Sequence, residues 1–201
     1  MAVRERGRGR ASGRRQDVLR HVVEVMIERG FHQTRFKDVA AASGVAISTL
    51  QVYFSTREDM LVEALRTSTR AEVDSMKAQV SELSDPWDQL VGLVDRGFAT
   101  PVPVWRMLME FWTTAAYDDE LRSYSHQLQA SYRAPFEAVL SAGIAGEAFR
   151  TRHEVAVITD LIVTTLDGLL YPSVLAQPRP AVPDLRDLLL DQLRVTLGVA
   201  R

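Results

Sequence analysis

The side chains that most readily carry catalysis stand at no catalytic spacing in this sequence. The four histidines, His21, His32, His126 and His153, show no metal-ligand pattern. Cysteine is absent, which removes disulfide and thiolate chemistry, and asparagine is absent, which removes N-glycosylation. There is no Walker loop, no nucleophile elbow and no His-Glu-x-x-His stretch. Gly7-x-Gly9 lies in an arginine-rich tail rather than after a strand, so it is not a dinucleotide loop. No catalytic residue, no metal ligand and no cofactor is therefore expected.

The remaining chemistry is that of charged and hydrogen-bonding surfaces. The net charge of −2 is unevenly spread. Residues 1–70 hold 13 basic and 8 acidic side chains, and residues 71–201 hold 11 and 18. A basic N-terminal third on an acidic body suggests that one end faces a polyanion. Residues 1–14 form an Arg/Gly-rich arm with almost no apolar content, expected to be disordered. Two readings stand for it: a basic arm that touches DNA, or a solvated tail. No apolar run approaches the roughly 18 residues needed to span a bilayer. No signal-peptide apolar region follows the first arginines. A cytoplasmic protein with no membrane partner is expected.

The stretch Thr34–Phe54, TRFKDVAAASGVAISTLQVYF, has the form of a helix-turn-helix. Ala40, Ala41 and Ala42 supply the small residues that a close helix crossing needs, and Gly44 supplies the turn. Val45 and Leu50 hold the second helix against the first, which leaves its outer face free to enter a major groove.

The elements that must position this motif are helical almost throughout. Val18, Leu19, Val22, Val23, Met26 and Ile27 make one apolar stripe, ended by Gly30. Arg35–Ser43 follows with Thr34 as N-cap, then Ala46–Tyr53. Thr56 with Asp59 forms a capping box opening a helix that runs toward Leu83. Asp85-Pro86 is a helix start, with Asp as N-cap and Pro at the first position. Helices are expected over 86–98, about 104–116, and 119–142 with Pro135 inside. Two further stripes, 155–171 and 184–197, are separated by the Pro-rich linker 177–183. No strand alternation of useful length occurs, so the fold is all-α, with about nine helices. The expected domains are residues 15–60 for the helix-turn-helix and 61–201 for the rest.

Over Arg15–Leu65 the sequence resembles the TetR family of transcriptional regulators. Gly30-Phe31, Asp38-Val39-Ala40, Ser43-Gly44-Val45, Thr49-Leu50, Tyr53-Phe54 and Thr56-Arg57-Glu58-Asp59-Met60-Leu61 all stand at that family's spacing. The family commonly has Gly or Pro where Ser48 stands, and Tyr where Gln51 stands. The resemblance implies a DNA-binding repressor whose remaining helices bind a small molecule and dimerise. It places Ile47, Ser48 and Val52 at base edges; there the apolar side chains of Ile47 and Val52 suit thymine methyls. It places Thr49, Gln51, Tyr53 and Arg57 on phosphates; Gln51 can bond a phosphate or a base edge, and Lys37, flanked by Arg35 and Thr34, a base or a phosphate.

For the second half, Trp105, Met109 and Trp112 share one helix face, and Phe98, Tyr132, Phe136 and Thr165 join them around an expected cavity. These residues read either as core or as the pocket the resemblance implies, one suited to an apolar or amphipathic effector. Glu110, Asp160 and Asp167 are the candidate polar handles. Ile158, Leu161, Ile162 and Leu169, with Leu185, Leu188, Leu189 and Leu193, read either as internal packing or as a four-helix homodimer interface. A dimer would present two recognition helices to a palindromic operator. The expected partners are double-stranded operator DNA, a small-molecule effector and a second copy of the chain. An architectural DNA-binding protein without a ligand is the alternative, and the aromatic-rich second half argues against it.

Overall fold

A computed structural model describes residues 2–178 and 182–199, with side chains from Gly13 onward. Within these residues there are ten helices and no strand. They are α1 (Ala2–Arg29), α2 (Phe36–Ser43), α3 (Ile47–Tyr53), α4 (Arg57–Ser81) and α5 (Pro86–Phe98), then α6 (Val102–Ala115), α7 (Asp119–Ala145), α8 (Val155–Asp167), α9 (Leu170–Val174) and α10 (Val182–Leu197). The count exceeds the expected nine by the short α9.

Local chemistry accounts for most of the helix ends. The Thr56 amide donates to the Asp59 carboxylate and the Asp59 amide to the Thr56 hydroxyl, each at 3.0 Å, which is the expected reciprocal box. The Asp85 carboxylate accepts from the amides of Trp87 at 2.6 Å and Asp88 at 3.4 Å, ahead of Pro86 at the first helical position.

Four expectations differ from what is observed. Thr34 does not cap α2; Arg35 does, its amide donating to Asp38 at 3.0 Å. Thr34 is instead fully buried, and its hydroxyl donates to the Gly30 carbonyl at 2.8 Å. Helix α1 is continuous from Ala2, so no break separates the arm 1–14 from the domain. The stretch mixes good helix formers, arginine and alanine, with the poor formers Gly7, Gly9 and Gly13. Helix α6 starts at Val102 rather than near 104 and includes Pro103, which sits in the first turn, where its missing N–H has no partner to lose. Finally, Val155–Val174 is a 20-residue stretch of mean hydropathy 1.5, long and apolar enough to meet the measure of a membrane span. It contains Asp160 and Asp167, and Ile158, Ile162 and Leu166 on its inner face are core residues.

The chain divides into two compact units. The first comprises residues 1–70 and 106–125, the second residues 71–105 and 126–201. The expected boundary near residue 60 does not coincide with this division. The first turns of α4 pack with the helix-turn-helix, and so does the segment 106–125. In the first unit Val18, Val22, Met26, Phe31, Val39, Leu50, Phe54, Leu61 and Phe111 form the interior. In the second, Met76, Leu90, Leu93, Phe136, Leu140, Phe149, Ile158, Ile162, Leu166, Leu189, Leu193 and Leu197 form one cluster.

That cluster revises the expected dimer stripe. Ile158, Ile162, Leu169, Leu189 and Leu193 are buried in the chain's own core, and Leu185 packs against it. Of the expected interface, only Leu161 and Leu188 are exposed. They share their faces with Val157 on α8 and Val195 on α10, which are exposed as well. The strongest apolar periodicity therefore marks the inner face of each helix.

Candidate nucleic-acid interface

Helix α3 is held by one side only. Leu50 is fully buried and Val45, just before the helix, is nearly so. With Leu50 inward, helical periodicity turns Ile47, Ser48, Gln51 and Val52 outward, and all four are exposed. Val52 has 82% of its surface accessible and Ile47 43%, which for apolar side chains on a well-anchored helix marks a face built for something else to cover. Thr49 and Tyr53 lie at the edges of this face, half-buried. The Tyr53 ring meets Phe54 edge-on at 6.2 Å. No residue of α3 is charged. Gly44 makes the turn before it with φ +67°, a conformation costly for side-chained residues.

The linker between α1 and α2 sets where this motif sits, and it is clamped from two sides. From α4, Arg57 donates through Nε to the Thr34 carbonyl at 2.7 Å and through Nη2 to the Phe31 carbonyl. Its guanidinium also lies 5.8 Å from the centre of the Phe31 ring. From α6, the Glu110 carboxylate accepts from the His32 amide at 3.0 Å. Thr114, one turn on, places its hydroxyl 3.2 Å from His32 Nε2. The Phe31 and Phe111 rings meet edge-on at 5.7 Å. A cation thus satisfies the linker's carbonyls and an anion its amide. At the C-terminal end of α3, Arg15 from α1 forks onto Glu63, donates to the Tyr53 carbonyl at 3.3 Å and stacks 5.0 Å over Phe54.

These contacts involve two of the predicted DNA contacts. Arg57 directs its fork to Thr34, Phe31 and Glu58, and its side chain is only 18% exposed. In these contacts it holds the linker from the α4 side. Arg35 is exposed, but it donates to the His32 carbonyl at 2.6 Å. Lys37 is exposed on α2 and has no ion pair among the described residues. Sequence reasoning missed Arg15, Glu63, His32 and Glu110 as parts of this framework. Their partners lie 48 or 78 residues away along the chain, and no local spacing encodes that.

The predicted effector residues are divided between the two units. Met109 and Trp112 belong to the first unit, and Phe98, Trp105, Tyr132, Phe136 and Thr165 to the second. Phe136 is fully buried in the second core, and Trp105 is buried too. Tyr132 and Phe136 lie 5.9 Å apart, with Phe98 packed against the same cluster. The Thr165 hydroxyl donates to its own helix, at the Leu161 carbonyl. Among the polar handles, Glu110 is engaged in the linker clamp, and Asp160 is exposed and paired with Arg133 at 2.5 Å.

Asp167 differs from both. It is half-buried at the end of α8, and burial raises its carboxyl above the ordinary range, opposed by a hydrogen bond from Gln129. Burial likewise pushes the Tyr132 hydroxyl up to about 12, with the Asp167 and Glu72 charges adding to the effect. Glu72 is itself answered by Arg96, which bonds both its oxygens and the Ser75 hydroxyl. A carboxyl whose folded-state pKa is raised weakens the fold above that pKa, and the penalty disappears as pH falls through it. Asp167→Asn is accordingly expected to melt higher than the native chain at neutral pH, with the advantage shrinking as the solution is acidified. Thermal unfolding across a pH series measures this. A lower melting point at neutral pH would show that the charge is stabilised by its surroundings.

A trihelical unit with a clamped, outward-facing, uncharged helix after a Gly turn defines a helix-turn-helix DNA-binding protein. The family profile for bacterial regulatory proteins of the tetR family matches residues 19–64, and that for the C-terminal part of BetI-type transcriptional repressors matches residues 87–198. The chain belongs to the tetR family of transcriptional regulators.

Among its relatives, the fatty acid metabolism regulator protein of Bacillus subtilis (strain 168) is 21% identical over 75% of this chain and 78% of its own length. The transcriptional repressor KstR2 of Rhodococcus jostii (strain RHA1) is 26% identical over 72% of each. Among solved structures, a Saccharomonospora viridis transcriptional regulator in complex with choline aligns with TM-score 0.78 at 24% identity. That alignment covers 94% of this chain and all of the other. The Bacillus subtilis regulator FadR in complex with stearoyl-CoA aligns with TM-score 0.73 at 20% identity, covering 92% and 98%. These likenesses show the fold.

Proposed function

We propose that this regulator is a cytoplasmic repressor that binds a palindromic operator as a homodimer and is released by a small apolar or amphipathic effector. The observation that carries the DNA-binding half is the exposed face of Ile47, Ser48, Gln51 and Val52 on a helix anchored through Leu50 and held at its C-terminal end by Arg15. Lys37 on α2 and the hydroxyl of Thr49 or Tyr53 at the edge of α3 supply phosphate contacts beside it. Dimerisation uses the exposed apolar faces of α8 and α10 around Val157, Leu161, Leu188 and Val195. Two copies so joined present two recognition helices about one DNA turn apart.

The effector half draws support from relatives: one regulator of this fold is seen with choline and another with stearoyl-CoA. Within this chain, the second unit combines aromatic surface at Phe98 and Tyr132 with the half-buried carboxyl of Asp167. Release follows from linkage: an effector that prefers a conformation unfit for the operator must lower operator affinity.

The test is selection of binding sites from randomised DNA with the full-length chain, followed by titration of the selected complex with choline and with long-chain acyl-CoA. Expected are a saturable palindromic site bound by two copies and its release by one of the two probes. A chain that binds no sequence above bulk DNA overturns the reading. A bound complex indifferent to both probes overturns these two effector classes alone.

A further inference from the structure

Guanine in a major groove is commonly read by the fork of an arginine or the ammonium of a lysine. Helix α3 offers neither, since its seven residues Ile47–Tyr53 are uncharged. Of the cations nearest to it in sequence, Lys37 on α2 is exposed with no ion pair among the described residues, while the other two are engaged. Arg57 is bound to the linker carbonyls, and Arg35 donates to the His32 carbonyl. The outer face of α3 instead consists of two rows at helical spacing: Ile47 with Gln51, and Ser48 with Val52. Its two apolar members are markedly exposed, Val52 the more so. An apolar side chain in a major groove has one apolar target among the base edges, the C5-methyl group of thymine.

Building on the DNA-binding reading above, we propose that α3 selects its half-site by C5-methyl groups: Val52 and Ile47 pack on thymine methyls, and Gln51 pairs its amide with an adjacent adenine. The selected half-site is then rich in thymine and adenine where α3 lies, and its discrimination resides in methyl burial rather than in arginine–guanine pairs. Val52 dominates, because its side chain is free of any contact that would hold it away from the groove. Deoxyuridine differs from thymidine by that methyl alone and keeps the O4 acceptor and base pairing. It therefore isolates the contact.

The experiment uses the full-length chain and its selected operator, with each thymine of the half-site replaced in turn by deoxyuridine. At one thymine or more, affinity is expected to fall about fourfold, the value of one methyl group withdrawn from burial. Val52→Ala is expected to bind thymine and uracil versions of that site equally. Val52→Thr, of the same shape, is expected to keep part of the difference. Because Val52 is so exposed, both variants should melt with the native chain. Three results overturn the proposal: no thymine whose methyl matters, a thymine–uracil difference that survives Val52→Ala and Ile47→Ala alike, or a half-site of guanine and cytosine bound through Lys37. Failure to select any operator overturns the DNA-binding reading itself, and is distinguished by the absence of saturable binding to every sequence.

Discussion

Arg57→Ala is expected to cost about 2–4 kcal/mol of stability and to weaken operator binding while leaving its salt dependence unchanged. The guanidinium satisfies the carbonyls of Phe31 and Thr34, and Thr34 is wholly buried. Removing it leaves two acceptors without their charged donor, and hydrogen bonds to charged groups are each worth roughly 1.5–3 kcal/mol. The linker that joins α1 to α2 then loses one side of its clamp, and the helix-turn-helix loses its fixed placement. Lysine cannot substitute, since a single ammonium does not span both carbonyls as the fork does. Arg57→Lys should therefore recover less than half of the loss.

Two measurements check this expectation together. Thermal unfolding reads the stability, and operator affinity across a salt series reads the number of phosphates neutralised. A side chain that touched a phosphate would, on removal, lower the salt slope by about one while leaving the melting point alone. That outcome would return Arg57 to the DNA-contact role that its place in the family motif implies.

Gly30→Ala is the other substitution with a large expected effect, about 2–4 kcal/mol. Gly30 ends α1 with φ +93°, where a side-chained residue pays roughly 1–2 kcal/mol. An added Cβ would also lie 2.5 Å from Oε1 of Glu110. The carboxylate can swing aside, but only by abandoning the His32 amide, which is then left without its acceptor. Gly44→Ala supplies the comparison: its φ is +67°, and nothing lies within 4 Å of the new Cβ. It should pay the backbone cost alone. In an Glu110→Ala background the penalty of Gly30→Ala should shrink toward that of Gly44→Ala, because the collision has been removed beforehand. Melting curves of the four variants form the necessary cycle. Equal penalties for Gly30→Ala with and without Glu110 would show that the carboxylate does not constrain the glycine.

Much of this architecture is written locally. The stripe Val18–Ile27, the Thr56–Asp59 box and the Asp85-Pro86 start each depend on residues within a few positions of one another. Helix geometry converts such spacings into faces and ends directly. The recognition helix is legible for the same reason: with Val45 and Leu50 inward, helical periodicity alone turns Ile47, Ser48, Gln51 and Val52 outward. The all-α class follows from the same periodicity carried through the chain.

Three-dimensional packing decided the rest. Arg57 sits in a motif position that suits a phosphate, yet carbonyls 23 and 26 residues away in sequence take its donors. Glu110 has the look of a polar handle in an apolar helix, yet an amide 78 residues away occupies it. An apolar stripe states that a helix face will be buried, not by what: Ile158, Ile162, Leu189 and Leu193 went to the chain's own core, which left Val157, Leu161, Leu188 and Val195 outside. Periodicity is a property of a single helix, and charge pairing across long loops and the choice of covering surface are properties of the assembled fold. The helix-turn-helix is therefore already present in the order of the residues, and the clamp that aims it exists only once the chain has folded.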